Sequence, residues 1–357
     1  MKRIAVFTSG GDAPAMNAAV VSIARNAAYL GLELIGIKRG FNGLLGKGED
    51  KDNFIRLDLD TVLDIADLPG TYLRTARCDE FLDPQVQYNA AQLLKAKGIE
   101  GLIVIGGNGS FAGAGKLCAH GIKCIGIPGT IDNDLSYTEV TLGYDTAVNV
   151  CVDAVRAIRA TSRSHDRPHV VEVMGRDCGD LALATAEATG AEIVIVPEAN
   201  WCVDDIANRL NHQIQKGNTR ATIVVAEGSW ASMEPFDVYE FLHPYGKQVF
   251  PGEPMTSNRL ASILQRKCGM AEVRSTVVGY TQRGATPTAR DSMFAFEAGA
   301  MAVQLLYKDQ SNLAIGVKGG VTYHCPIDQV LAKEEEKKKQ KKNSNFNFNL
   351  YNLLNAL

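Results

Sequence analysis

The 357-residue chain has no uninterrupted run of about 18 uncharged apolar residues, so no membrane-spanning helix is expected. It also lacks any CxxC pair: the cysteines at 78, 118, 124, 151, 178, 202, 268 and 325 are scattered, without metal-ligand spacing. Isolated thiols suit a reducing cytoplasm better than a disulfide framework. The start, MKRIAVFTSGGDAP, is patterned as a strand and lacks the apolar core of a secretory leader. Strong charge of either sign is missing too. With a net charge of −3, nothing global suggests a polyanionic partner, and basic patches must be local. The expectation is a cytoplasmic globular protein with no membrane or nucleic-acid partner.

What is present is a hydrophobic content of 46 %, in a chain long enough for two domains or one elaborated α/β domain. β-branched runs predict strands over Ile4–Thr8, Glu33–Ile37, Gly101–Ile105, Lys123–Ile127, His169–Val173, Glu192–Val196, Thr222–Ala226 and Ser275–Gly279. Helix-length segments such as Met16–Leu30, Pro84–Lys97 and Thr146–Ala160 lie between them. Continuously apolar strands alternating with helices predict an α/β fold with mainly parallel sheets covered on both faces. The charge run AKEEEKKKQKKN at 332–343 reads as a solvated helix or linker. Beyond it, Leu350, Leu353, Leu354 and Leu357 follow helical spacing, which predicts a short amphipathic helix docking on the body, with a frayed tail as the alternative.

Three predicted strand ends are rich in glycine and small polar residues: TSGGDAPAMN (8–17), GGNGSFAG (106–113) and PGTIDND (128–134). Each precedes a helix or turn, where backbone N–H groups and a helix dipole favour an anion. One such loop also serves ordinary turns, but three at strand ends point to a phosphorylated ligand. Cations flank two later strands, Arg167 with Arg176 and Arg274 with Arg283. Singly they read as solvated loop residues; as two pairs they suit a second anion site, because guanidinium binds phosphate bidentately. In GTIDND, Asp132 and Asp134 lie two apart and point the same way if the segment stays extended. Two carboxylates beside phosphate-type loops suit phosphoryl transfer, one as base and one toward Mg²⁺. Asp-Asn-Asp is equally good turn sequence, and composition alone leaves both readings open.

The ordered stretches TSGGDAPAMNAA, GTYLRTAR, IGGNGS, PGTIDND, VEVMGRDCGDLAL, VAEG and VVGYTQRGATP resemble the signatures of the 6-phosphofructokinase family from residue 1 to about 330. The resemblance implies two doubly wound three-layer domains: 1–143 with 282–332 around the nucleotide, and 144–281 with 333–357 around the sugar phosphate. It implies transfer of a phosphoryl group from ATP, with Mg²⁺, to the 1-hydroxyl of fructose 6-phosphate. By the same resemblance Asp132 is the base, Thr130 and Asp134 line the transfer site, and Arg77 reaches the transferring phosphate. Gly11, Arg77, Cys78 and the loop Gly107, Asn108, Gly109 and Ser110 hold the nucleotide. Thr130, Ile131, Asp132, Arg167, Arg274, Tyr280 and Arg283 contact the sugar phosphate, with Met174, Gly175, Arg176 and Glu227 around the sugar. Residues matching Arg167 and Arg274 serve a neighbouring subunit in the family, which implies an oligomer, most simply a homotetramer.

Pyrophosphate-using members resemble GGDDS and PKTIDND at the donor loops; Gly109 and Gly129 stand at those positions here and are expected to leave room for ATP. Four departures from the pattern matter. Asn108 replaces an aspartate beside Mg²⁺; it keeps an oxygen but loses a charge, which weakens the metal grip unless Asp134 compensates. Tyr280 replaces a histidine and brings no positive charge. The interval from Glu227 to Arg274 is long, reading either as a surface elaboration or as a lid or subunit contact. At the family's effector pocket Arg25, Arg159, Glu192, Lys216 and Arg220 are retained, but Val21 and Asn218 replace cations. Each lost phosphate contact costs about 1–3 kcal/mol, so an ADP-like effector is expected to act weakly. The competing functions are a catalytically weakened regulatory paralogue, motivated by Asn108 and Tyr280, and a pyrophosphate-dependent enzyme. A lipid or NAD kinase would explain only the GGNGS loop.

Overall fold

The computed structural model describes residues 1–47, 53–244, 252–270, 272–340 and 346–356. Along the chain the strands are β1 (Arg3–Ser9), β2 (Glu33–Ile37), β3 (Phe54–Arg56), β4 (Gly101–Gly106), β5 (Lys123–Pro128), β6 (His169–Val173), β7 (Ile193–Ile195), β8 (Thr222–Ala226), β9 (Arg274–Val277), β10 (Leu313–Lys318) and β11 (Val321–Pro326). The chain divides into two compact units, Met1–Thr146 with Arg283–Gln340, and Ala147–Gln282 with Lys341–Leu357.

The larger unit is built on a seven-stranded sheet of order β11-β10-β5-β4-β1-β2-β3. The pairings from β2 through β1, β4 and β5 to β10 are parallel, and the edge strands β3 and β11 are antiparallel. β4 is buried along its whole length and β1 from Ile4 to Ser9, as expected where helices cover both faces of a parallel sheet. Phe7, Phe41, Phe111, Leu94 and Leu117 share one continuous apolar cluster, with Phe7 set edge-on to Phe41 at a centroid distance of 4.8 Å. Phe111, on the helix Asn108–Ala119, lies so close over Gly126 of β5 that a Cβ there would meet its ring at 2.5 Å. Any larger residue at 126 would push that helix off the sheet. Elsewhere the helices Met16–Tyr29 and Ala289–Tyr307 approach closely: a Cβ on Gly299 would meet Ser22 at 2.7 Å, and Ser22 Oγ donates to the Phe296 carbonyl at 2.6 Å.

The smaller unit carries four parallel strands in the order β7-β8-β6-β9. Helices Asp180–Thr189, Val203–Gln215 and Ser257–Lys267 belong to it, as does most of Tyr144–His165. The C-terminal helix Phe348–Leu354 docks on this unit chiefly by its aromatic residues, with Leu350 and Leu354 half-buried. Leu353 is 65 % exposed, whereas Phe346 and Tyr351 are buried. Asn355 clamps the edge strand β7, taking the Val194 N–H at 3.0 Å and donating to the Val194 carbonyl at 3.1 Å, while Arg209 donates to the Asn355 carbonyl. Leu357 lies outside the described residues.

The described start of the charge run is helical and mostly exposed, as its reading as a solvated helix expects, with one exception. Helix Ile327–Gln340 stays with the larger unit past residue 333, because Ile327, Val330 and Leu331 pack into the apolar cluster. Glu334, in the middle of the run, is only 6 % exposed.

Candidate active site

In the larger unit, strand register gathers the three glycine loops. Ser9 at the end of β1 pairs with Gly106 at the end of β4, and Gly106 pairs with Pro128 at the end of β5. The loops therefore leave three adjacent parallel strands at one level. β2 lies on one side of β1 and β4 on the other, so the first loop pair straddles the point where strand order reverses. That is the usual ligand crevice of an open α/β sheet.

The GGNGS loop starts the helix Asn108–Ala119, with Gly107 as an N-cap that makes no side-chain bond and no acid in the first turn. Its first N–H groups and its positive dipole end are left for an incoming anion. Gly106 is required sterically, since a Cβ would lie 2.5 Å from the Ser9 carbonyl oxygen and closer still to Ser110 Oγ. Ser110 Oγ donates to that same carbonyl at 3.2 Å, tying the second loop to the first. Gly109 faces open space, as its reading from the sequence expects. Gly129 does not: a Cβ there would press on Met16 at 2.9 Å and Ile105 at 3.1 Å. The glycine at 129 answers to packing beneath the loop, and only Gly109 carries the size argument.

GTIDND is not extended. Asn133 adopts a left-handed φ of 50°, and its Oδ1 accepts the Thr141 N–H at 3.0 Å. Thr130 Oγ1 accepts the Asp132 N–H at 3.2 Å, and Thr141 Oγ1 donates to the Thr130 carbonyl at 2.6 Å. The two-residue alternation invoked for Asp132 and Asp134 therefore fails, because the asparagine between them turns the chain. Both aspartates are half-buried and Ile131 is fully buried. Asp291, which sequence reasoning passed over, anchors the chain that follows: it accepts the Gly143 N–H at 3.0 Å and the Thr146 N–H and hydroxyl at 2.8 and 2.5 Å. Burial pushes its carboxyl up from the ordinary range.

GTYLRTAR is laced to the end of β1. Thr8 Oγ1 lies 2.7 Å from the Thr71 hydroxyl and 2.9 Å from the Arg74 carbonyl, and Thr75 Oγ1 donates to the Gly10 carbonyl at 2.8 Å. Arg77 is left exposed, with its carbonyl accepting from Asn42 at 3.0 Å. Burial pushes the Cys78 thiol up, so it sits there as a neutral thiol rather than a nucleophile. Arg283 belongs to this unit: its guanidinium donates to the Asp12 carbonyl at 2.7 Å and would lie 3.0 Å from a Cβ on Gly11.

In the smaller unit the ends of β6 and β8 are paired, Val173 with Ala226, which brings MGRD beside Glu227. Glu227 accepts the Arg176 N–H at 3.0 Å, Gln282 accepts the Met174 N–H at 3.1 Å, and Gly175 (φ 125°) and Arg176 (φ 52°) both take left-handed backbone. Tyr280 is 82 % exposed on a short turn. Arg167 and Arg274 come together on one carboxylate that the sequence did not flag: Glu272 pairs with both. The Arg167 hydrogen bond is the main cause that holds Glu272 below the usual carboxylate range.

His169, in β6 next to these arginines, is buried and hydrogen-bonded to Thr276 Oγ1 at 2.8 Å. Burial first, then Arg167 and Arg274, lower its pKa to about 4. The unfolded chain binds this proton near pH 6.5, so stability is complete above that pH and declines as pH falls toward 4. His169→Gln is expected to remove about 2 kcal/mol of that decline, read from urea midpoints at pH 7 and pH 5. Parallel losses in both proteins would contradict it.

The residues assigned to an effector pocket separate between units. Arg25 is exposed on the larger unit, and Val21 is buried in the same helix. In the smaller unit Arg159 pairs with Glu192 at 2.9 Å and also donates to Thr222 Oγ1 at 3.0 Å and to the Gly190 carbonyl at 2.7 Å. Asn218 turns to Glu192 at 3.1 Å, Arg220 reaches Asp166 at 3.4 Å, and Lys216 caps the helix Val203–Gln215.

Residues 3–306 match the family model described as phosphofructokinase. The chain is 43 % identical to ATP-dependent 6-phosphofructokinase 1 of Clostridium perfringens over 357 residues, covering 100 % of this chain and 99 % of that protein. It is 42 % identical to ATP-dependent 6-phosphofructokinase of Halalkalibacterium halodurans over 334 residues, or 94 % and 95 % of the two chains. Among solved structures, that of phosphofructokinase from Pichia pastoris superposes with a TM-score of 0.85 at 28 % identity, covering 99 % of this chain and 39 % of that one. The phosphofructokinase structure from Saccharomyces cerevisiae gives 0.80 at 29 %, covering 99 % and 48 %, so the chain spans about half the length of that protein or less. The match over most of the length, together with the doubly wound sheets and the loops they position, establishes that the chain belongs to the phosphofructokinase family.

Proposed function

We propose that this protein transfers the γ-phosphoryl group of ATP to the 1-hydroxyl of fructose 6-phosphate, giving fructose 1,6-bisphosphate and ADP. The observation that carries the reading is the register of Ser9, Gly106 and Pro128, which supports one phosphate crevice fed by three loops. Open space at Gly109 and full-length relatives named as ATP-dependent enzymes support ATP over pyrophosphate as donor.

Asp132 takes the proton from the 1-hydroxyl as its oxygen bonds to the γ-phosphorus, and the bond from that phosphorus to the bridging oxygen of ADP breaks. Thr130 and the Asn133 turn hold Asp132 in place through the backbone. Arg77 meets the charge on the transferring group, and Gly11, Cys78 and the 107–110 loop hold the nucleotide. Arg167, Arg274 and Arg283 grip the 6-phosphate, with Met174, Gly175, Arg176 and Glu227 around the sugar and Tyr280 beside it. Arg167 and Arg274 serve a neighbouring copy, so the working form is an oligomer, a homotetramer in the cytoplasm.

A magnesium ion fits these residues. Asn108 Oδ1 is a buried amide oxygen with no hydrogen-bond partner among the described residues, a hard donor of the kind Mg²⁺ takes. Asn108 and Asp134 would hold the ion. When bound it supplies neutralisation of charge on the transferring phosphates.

Phosphorus NMR of the product mixture tests the reaction: two phosphate ester signals, at the 1- and 6-positions, are expected, and free phosphate alone would contradict it. Regulation by ADP is expected to be weak, because Val21 is buried and the Arg159 donors are taken up by the chain itself. Strong activation of the purified enzyme by ADP at limiting fructose 6-phosphate would contradict that.

A further inference from the structure

The aspartate expected beside Mg²⁺ is replaced by Asn108, and the neighbouring carboxylate comes from an unexpected element. Glu334, buried on the helix Ile327–Gln340, accepts three hydrogen bonds: from the Ser136 N–H at 2.8 Å, the Ser136 hydroxyl at 2.6 Å and Asn108 Nδ2 at 3.1 Å. A carboxylate in this setting only accepts, so it fixes the amide of Asn108 in one orientation. The opposite orientation would set oxygen against oxygen. With Nδ2 held by Glu334, Oδ1 is turned away from it, and Oδ1 is the atom that has no protein partner among the described residues. Ser136 lies two residues after Asp134, so one side chain braces both segments assigned to the metal.

We propose that Glu334 is a positioning residue that aims the Asn108 carbonyl oxygen, and that the pair explains why position 108 carries an amide. An aspartate at 108 would bring a second carboxylate to the 3.1 Å contact with buried Glu334, and two like charges so placed repel strongly. The missing charge is then a consequence of the charge run at 332–343, one of whose carboxylates already occupies the loop. The metal half of this inference rests on the kinase reading; the pairing half does not.

The test uses the full-length enzyme with Asn108→Asp, Glu334→Gln, the double variant, and exposed Glu335→Gln as control. Each is melted without ligand and titrated calorimetrically with ADP, with and without Mg²⁺. Asn108→Asp alone is expected to lower the melting temperature by roughly 5 °C or more and not to tighten Mg²⁺-dependent ADP binding. Glu334→Gln presents both a donor and an acceptor, so it no longer locks the amide. It is expected to weaken the Mg²⁺-dependent part of ADP binding by about tenfold while metal-free binding is unchanged. In the double variant the glutamine amide introduced at 334 donates to the carboxylate introduced at 108, and both melting temperature and Mg²⁺-dependent binding recover to at least the parent level. An Asn108→Asp protein that melts like the parent and binds Mg²⁺ and ADP more tightly overturns the pairing. A Glu334→Gln protein with unaltered Mg²⁺ dependence overturns the positioning role. If the parent itself shows no Mg²⁺ dependence, the metal half and the kinase reading fall together, while the melting comparison still decides the pairing.

Discussion

Asp132→Asn is expected to lower kcat by about 10²–10⁴-fold while KM for ATP and the melting temperature stay near those of the parent. The substitution keeps shape and removes only the ability to take a proton. Other groups also hold the turn: the Asp132 N–H is taken by Thr130, and the chain around it is fixed by Asn133 and Thr141. A loss confined to kcat therefore reports the proton transfer itself. Steady-state rates across pH sharpen the result, since the acid limb of the parent profile should be absent from the residual activity. A fall of only a few-fold would remove Asp132 from the role of base.

Gly228→Ala is expected to reduce kcat/KM for fructose 6-phosphate by about 100-fold or more and to lower the melting temperature. A Cβ at 228 would overlap the Arg176 carbonyl oxygen outright and stand 3.1 Å from its carbon and 3.4 Å from the Asp177 Cα. All three are backbone atoms, so no side-chain rotation relieves the clash. The backbone of Arg176 is already in the left-handed region and its N–H is fixed on Glu227, which ties the residues proposed around the sugar to this one close approach. Displacement of about 1 Å at such a position is enough for a loss of that size. ADP binding, which the proposed function assigns to loops of the other unit, is expected to be unchanged by calorimetry. Equal damage to both substrates would show that the alanine unfolds the protein instead.

The sequence was readable where one property decides one outcome. β6 and β8 run over His169–Val173 and Thr222–Ala226, where their apolar, β-branched runs predict them, because a parallel strand buried on both faces has no other way to be written. The glycine clusters were readable as strand-end loops, and at Gly106 and Gly129 close packing is what asks for glycine. β3, β10 and β11 were not readable: Phe54–Arg56 is only three residues long, and β10 joins through Gly319 and Gly320 to β11, a half-exposed antiparallel edge. The hydrophobicity of β3 and β11 is diluted by the solvent face, and β10 gains its place beside β5 from a partner far along the chain.

At the site, residue types were legible and directions were not. GTIDND admits both an extended run and a turn, and its composition does not decide for the left-handed turn at Asn133; nothing in it reveals that the face of Gly129 is packed by Met16 and Ile105. Three carboxylates that serve by holding other groups, Glu334, Glu272 and Asp291, were hidden altogether. Glu334 sits in a charge run whose composition predicts solvent, and only the packing of Ile327 and Val330 draws it inward. Glu272 and Asp291 likewise gain their partners through strand pairing and helix placement, contacts that span from 105 to 148 residues of chain.

The most direct test is the initial rate of ADP formation by the purified enzyme with ATP and Mg²⁺, as fructose 6-phosphate is varied, set beside the same reaction with pyrophosphate as donor. Saturable ADP formation that requires fructose 6-phosphate, and no sugar phosphorylation from pyrophosphate, is the predicted result. ADP release indifferent to fructose 6-phosphate, or turnover with pyrophosphate alone, would contradict it.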